Sequence, residues 1–128
     1  MRHVPLTLVA TLTVALSYVC AAHGQTSAVR VAGTWNVHIE HYTGRIVDEQ
    51  WVLRQDGSAV RGTVLVRDQK YPIEGTVEGD RINFRVTVST ADGARYNVFL
   101  GSVKDQRIQG DIKKENDDGR FTAVRAAE

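Results

Sequence analysis
From Gly33 onward, apolar and polar residues alternate in short runs, and no stretch sustains a helical period. The runs predict strands over 34–42, 46–55, 58–67, 70–78, 81–89, 95–104, 107–115 and 119–126. Between them stand Thr43-Gly44, Asp56-Gly57, Asp68-Gln69, Gly79-Asp80, Asp92-Gly93, Asp105-Gln106 and Asp118-Gly119. Asp-Gly and Gly-Asp pairs suit tight hairpins, which need positive φ. Every connection is short, so neighbouring strands are antiparallel and no crossover helix fits. Eight such strands in sequence, each with one apolar face, predict an all-β fold. They remove their free edges by closing into an eight-stranded antiparallel up-and-down β-barrel over 33–126. The alternative is an open sandwich of two sheets.

Four glycines recur in one setting: Val60-Arg61-Gly62-Thr63-Val64, Ile73-Glu74-Gly75-Thr76-Val77, Phe99-Leu100-Gly101-Ser102-Val103 and Ile108-Gln109-Gly110-Asp111-Ile112. Strand alternation puts each on the apolar, buried face. Glycine in a strand marks a bend, a close approach or room for something bulky. With turns at 56–57, 68–69, 79–80 and 105–106, Trp51 faces Gly62, Gly62 faces Gly75 and Gly75 faces Phe84. Val64 then faces Ile73, Phe99 faces Ile112 and Gly101 faces Gly110, while a longer loop through Asp92-Gly93 sets Phe84 against Gly101. One inward row reads Trp51, Gly62, Gly75, Phe84, Gly101, Gly110, Ala123. Trp51 and Phe84 are expected to fill the space the glycines leave, so that Gly75→Val would collide with one of the two rings.

The first 24 residues read as a secretory signal peptide: a basic start at Met1-Arg2-His3, an apolar core over 4–20, then a small, polar stretch from Ala21 to Gln25. The core is short for a membrane anchor, which is the competing reading. Cleavage after Ala21, Ala22 or Gly24 removes Cys20, the only cysteine, so the exported protein holds no disulfide. A flexible segment over 25–32 then leads into the barrel. The expected location is periplasmic or secreted. The chain carries 16 Lys and Arg against 15 Asp and Glu, and losing Arg2 leaves it near neutral. That balance argues against nucleic acid or an anionic membrane as a partner. Arg54, Arg61, Glu74, Arg85 and Gln109 fall on the outward face, which argues against a lipid-facing barrel.

The strand system opens with Gly33-Thr34-Trp35 and closes with Phe121-Thr122-Ala123-Val124-Arg125. It resembles the lipocalin-like (calycin) superfamily, whose barrels start with Gly-x-Trp and carry a late Arg over that Trp. The resemblance implies a closed-end pair, Trp35 with Arg125, in cation–π contact. The Gln55-Asp56-Gly57 turn, the repeated Gly-Thr-Val and the Phe-Thr-Ala-x-Arg ending are similar to small secreted bacterial lipocalin-like domains. Avidin-like proteins also begin Gly-Thr-Trp, but their later tryptophans are missing here, as are the longer loops and disulfides of the true lipocalins.

The end opposite Trp35 carries the connections 42–45, 68–70, 89–94 and 115–119, which read as the looser ones. Inward parity toward that end gives His41, Glu49, Tyr71, Asn97 and Lys114, with Val66, Val88 and Phe121 at the same level. An apolar floor at Trp51 and Phe121 under a polar rim suits a small apolar or amphipathic ligand. The competing explanation is that strand ends beside solvent become polar anyway. His38 and His41 are three residues apart, hence on opposite strand faces, and no third histidine and no cysteine from Gly33 onward completes a zinc site, so neither metal nor cofactor is expected. Asp48-Glu49 and Asp117-Asp118 are sequence neighbours rather than acid–base pairs. Ser58, Ser89 and Ser102 lack a nucleophile's setting, and Lys113-Lys114 is a solvated pair. The preferred reading is a non-catalytic, ligand-binding barrel. The alternatives are a protein-interaction module (a periplasmic inhibitor or accessory subunit) acting through the open-end loops, and an enzyme with His41 or Glu49 as base.

Overall fold
The computed structural model describes residues 29–127. The expected signal peptide, its Cys20 and residues 25–28 lie outside them. The eight strands are β1 (Gly33–His41), β2 (Ile46–Asp56), β3 (Ala59–Val66), β4 (Gln69–Glu78), β5 (Arg81–Thr90), β6 (Gly93–Lys104), β7 (Arg107–Lys113) and β8 (Gly119–Arg125). Each pairs antiparallel with the next, and β1 pairs β8 with Val37 opposite Ala123, so the sheet is a closed barrel and not a sandwich. Inward residues such as Trp35, Leu53, Ile73, Val77 and Ile108 are buried. The outward Arg54, Arg61, Glu74, Arg85 and Gln109 are exposed.

The turns shift the register in part. Gly75 stands opposite Phe84, Phe99 opposite Ile112 and Gly101 opposite Gly110, as the hairpins at 79–80 and 105–106 require. Elsewhere the partners move by two. Trp51 meets Val64, Leu53 meets Gly62, Gly62 meets Ile73, Val60 meets Gly75, Phe84 meets Phe99 and Gly110 meets Phe121. The turns responsible are Gly57-Ser58, Arg67-Asp68 and Ala91-Asp92, while the longer 114–118 connection sets the β7–β8 register. A two-residue turn displaced by one position slides the ladder by two, so every side chain keeps its face. Arg67 takes φ 55° to make its turn, and Asp105 and Gln106 take 52° and 64°, all without glycine. The connections at 68–70 and 89–94 are therefore tight two-residue turns, and the longer ones are 42–45 and 114–118.

The slide changes what the core holds. Four rings, Trp51, Phe84, Phe99 and Phe121, fill the bore together, and none is more than 2% exposed. Trp51 lies 5.8 Å from Phe84, 4.9 Å from Phe99 and 5.6 Å from Phe121, and Phe99 lies 5.1 Å from Phe121. Three of the pairs are edge-on and the Trp51–Phe121 pair is tilted, and edge-on pairs add about 0.5–1.5 kcal/mol each beyond burial. The glycines serve a different end from the one expected. A Cβ on Gly62, Gly75 or Gly110 would strike neighbouring backbone: the carbonyls of Val52, Asn83 and Leu100 respectively, with Phe84 Cα at 2.8 Å from the Gly75 Cβ. Gly75→Val would therefore collide first with the backbone of Asn83 and Phe84, rather than with the Trp51 or Phe84 ring. At Gly101 a Cβ would meet both the Gln109 carbonyl and, at 3.1 Å, the Phe121 ring. At these positions neighbouring strands approach too closely for any side chain.

One end is sealed. Arg125 lies 4.4 Å over the Trp35 ring, and its guanidinium donates to the carbonyls of Ala32 (2.6 Å) and Arg30 (3.0 Å) and to the Gln106 side chain (2.5 Å). The Trp35 indole N–H donates to the Val31 carbonyl at 2.8 Å. Gln55 accepts from the Val31 N–H and donates to the Val29 carbonyl, at 2.6 and 3.0 Å. Residues 29–32, part of the segment expected to be flexible, are thus strapped across the closed end, with Val31 fully buried. The strap pays its ordering entropy with one buried valine and several hydrogen bonds. Gly33 begins β1 at φ 126°, where a Cβ would press on Arg125 Nη1 at 2.8 Å, so the position favours glycine twice over.

Candidate functional site
The opposite end is covered less completely. Inward side chains there are only partly covered: Val47 and Glu49 on β2, Tyr71 on β4, Val88 on β5, Asn97 on β6, and Lys114 just past β7. Val47, Tyr71 and Val88 pack down on the core. The residues expected from alternation are thus brought to one mouth, with Trp51 and Phe121 buried beneath it.

Their roles differ. The Trp51 indole N–H donates to a Glu49 carboxylate oxygen at 2.9 Å, so Glu49 lies over the aromatic floor. Burial pushes the Glu49 carboxyl above its ordinary value, against the opposing pull of the Trp51 hydrogen bond and the Lys114 charge. His41 is 5% exposed. Its Nδ1 lies 2.6 Å from the Asp117 carbonyl oxygen, which makes Nδ1 the donor and spends it on holding the 114–118 loop. Glu49 and His41 thus bond to different partners, and no hydrogen bond joins them.

Three groups outside the expected set complete the rim. Asp117 accepts from the Thr43 hydroxyl at 2.8 Å and has Arg45 Nε at 3.7 Å. The Thr43 bond, with His41, Arg45 and Lys114 nearby, holds the Asp117 carboxyl below its usual range. Arg45 and Arg95 both act on Lys114. Burial first, then Arg45, pulls the Lys114 ammonium below its ordinary value; Arg95 adds to this, while Asp117 and Glu49 oppose it. Arg45 and Asp117 sit in turns, where strand parity gives no signal. Arg95 shares the odd-numbered parity of Asn97 and Phe99, a signal that was there to be read.

His38 lies on the outer wall, as its separation from His41 requires. Its Nδ1 lies 2.6 Å from Asp48 and its Nε2 3.2 Å from Glu40, and these bonds raise its pKa. It borders a shallow outer hollow of about 640 Å³ with Leu65, Thr122 and Val124 in its floor. Among the described residues no three His, Cys, Asp or Glu side chains cluster as metal ligands.

The Glu49 shift carries a pH prediction. The folded chain binds the Glu49 proton more tightly than the unfolded chain does. Stability from this group is therefore complete below the unfolded carboxyl value of about 4.3 and falls as pH rises through the higher folded value. Glu49→Gln keeps an acceptor for the indole and abolishes the titration. Its melting temperature is expected to exceed that of the parent at pH 7 and to approach it at pH 4. Thermal melts at the two pH values check this, and a variant less stable than the parent at pH 7 would contradict it.

No protein-family model matches the chain, and no curated protein matches it in sequence. Among solved structures, a redesigned β-barrel is similar: 12% identity, 76% of this chain and 91% of that chain covered, TM-score 0.56. At that identity the likeness shows the closed-barrel fold alone.

Proposed function
We propose that this chain is an exported, non-catalytic binding barrel of the bacterial lipocalin-like (calycin) kind, and that it holds a small amphipathic molecule at its open end. One observation carries the reading. Inward side chains are sealed under the 29–32 strap at one end and partly open at the other, where polar groups converge over an apolar floor. The four-ring plug limits the site to a shallow cup, so the ligand is small and lies on the plug rather than in a deep chamber. The separate bonds of Glu49 and His41 argue against an acid–base pair.

Trp51 is a built-in reporter, because its indole N–H bonds to Glu49 in the cup. In a Trp35→Phe background, Trp51 emission should shift and saturate with an amphipathic probe from a panel of alkyl alcohols, acids and amines. Emission unchanged across the whole panel would overturn the reading. A second reading, docking of a protein through the same end, draws on Tyr42 and Ile46, which are 69% and 60% exposed beside the β1–β2 turn. Replacing both by serine should leave the probe titration unchanged if the small molecule is the target.

A further inference from the structure
We infer that the sealed end is a socket for an extended chain segment, and that the Val29–Ala32 strap of a second copy fills it in a strap-exchanged dimer. The socket grips main chain. The Val29 N–H donates to the Gly79 carbonyl at 3.0 Å, and the Val29 carbonyl accepts from Gln55 Nε2 at 3.0 Å. Gln55 Oε1 accepts from the Val31 N–H, and the Trp35 indole donates to the Val31 carbonyl. Arg125 donates to the Arg30 and Ala32 carbonyls. Six backbone groups on four consecutive residues are thus held. Side chains are read at alternate positions: Val31 is fully buried, Val29 packs on the core and Arg30 is exposed. Main-chain bonds with pockets for alternate side chains are how proteins recognise extended peptides.

Nothing in that grip requires the strap to come from the same chain. Its partners are Gly79, Gln55, Trp35 and Arg125, all outside the strap, and a second copy supplies the one sequence already seen to fit. The strap adds no rung to the ladder, so its departure leaves all the strand pairings in place. It joins the barrel at Gly33, whose φ of 126° belongs to the corner where the strap crosses the end. A chain leaving β1 in extended form needs no such corner and carries the strap outward to a facing copy. Four extended residues reach about 14 Å, so the two sealed ends must face each other closely. The turns there, Gly57-Ser58, Gly79-Asp80 and Asp105-Gln106, are two residues long and permit that approach. Exposed charges beside them carry both signs, Asp56, Asp80 and Asp105 with Arg81, Lys104 and Arg107, so a two-fold pairing can set unlike charges together. The tethered strap competes at a high effective concentration, so exchange gains where protein is concentrated or the Gly33 corner is strained.

The test is complementation between two variants of the chain, read by sedimentation. Val31→Asp spoils the strap and leaves the socket whole. Gln55→Ala removes two of the socket's bonds and leaves the strap whole. Each alone should sediment as a monomer, and their mixture should form a one-to-one dimer. Excess peptide of sequence 28–33 should dissolve that dimer, and the same peptide carrying Val31→Asp should not. A mixture still monomeric at ~1 mM, the order of concentration a short tether supplies, would overturn the inference. Gly33→Ala tests it again with strap and socket both whole. It strains the corner, where φ is 126° and a Cβ would lie 2.8 Å from Arg125 Nη1, and should tighten dimerisation about tenfold or more over the parent. Adding Val31→Asp should return that chain to monomer. A Gly33→Ala chain no more dimeric than the parent, or a dimer that survives Val31→Asp, would overturn the inference.

Discussion

Trp51→Ala is expected to cost about 3–5 kcal/mol, because a large ring leaves a core that cannot collapse around the gap. Trp51 is fully buried and touches three other rings at 4.9–5.8 Å, so its loss removes the centre of the plug. The substitution also strips Glu49 of its indole donor while leaving the carboxyl half-buried, which adds an unsatisfied polar group. Each kcal/mol moves the melting temperature of a domain this size by about 4–8 °C, so a fall of at least ~12 °C is expected. Should the alanine variant fail to fold, Trp51→Phe should still melt below the parent by a smaller, measurable margin. An alanine variant that melts within two or three degrees of the parent would mean that the rings do not form one packed unit.

Gly110→Val should be as damaging by a different route. The new Cβ would run into the Leu100 carbonyl and approach Gly101 Cα at 2.5 Å, so backbone rather than side chain must move. Overpacking that side chains can absorb costs about 1–3 kcal/mol, and a backbone collision falls at or above the top of that range. The neighbouring Gln109→Val, on the exposed outward face, should change stability by no more than about 0.5 kcal/mol. Denaturant midpoints for the pair measure the contrast directly. Equal midpoints would mean that β6 and β7 do not approach each other this closely at Gly101 and Gly110.

Much of the fold was legible in the residue pattern, and the reasons are specific. Strand faces follow from parity, and parity survives a slide of two, so the buried and exposed sets held even where the partners did not. Partners depend on which two residues form each turn. Asp56-Gly57 points to a glycine-centred turn, yet Asp56 pairs with Ala59 and the turn is Gly57-Ser58. Arg67 and Gln106 accept positive φ without the glycine or asparagine that would announce it. Phe99 was therefore expected beside Ile112 but not within the same cluster as Trp51 and Phe84. The strap was missed because two alternating valines, Val29 and Val31, are too short a run to read as an element.

The mouth was legible in part for the same reason. His41, Glu49, Tyr71 and Asn97 lie on strands, and Lys114 directly follows one; parity brought them together. Arg45 and Asp117 lie in the longer connections, where chain direction changes from residue to residue.

The most direct measurement is an amide chemical-shift map of the ¹⁵N-labelled chain titrated with the alkyl alcohols, acids and amines. Saturable shifts are expected at Arg45, Glu49, Tyr71, Val88, Arg95, Asn97 and Lys114, with the sealed end at Val31, Leu53 and Ile108 unmoved. Shifts centred on the sealed end, or on the outer hollow at His38, Leu65 and Thr122, would contradict an open-end site, as would no shift with any of these compounds.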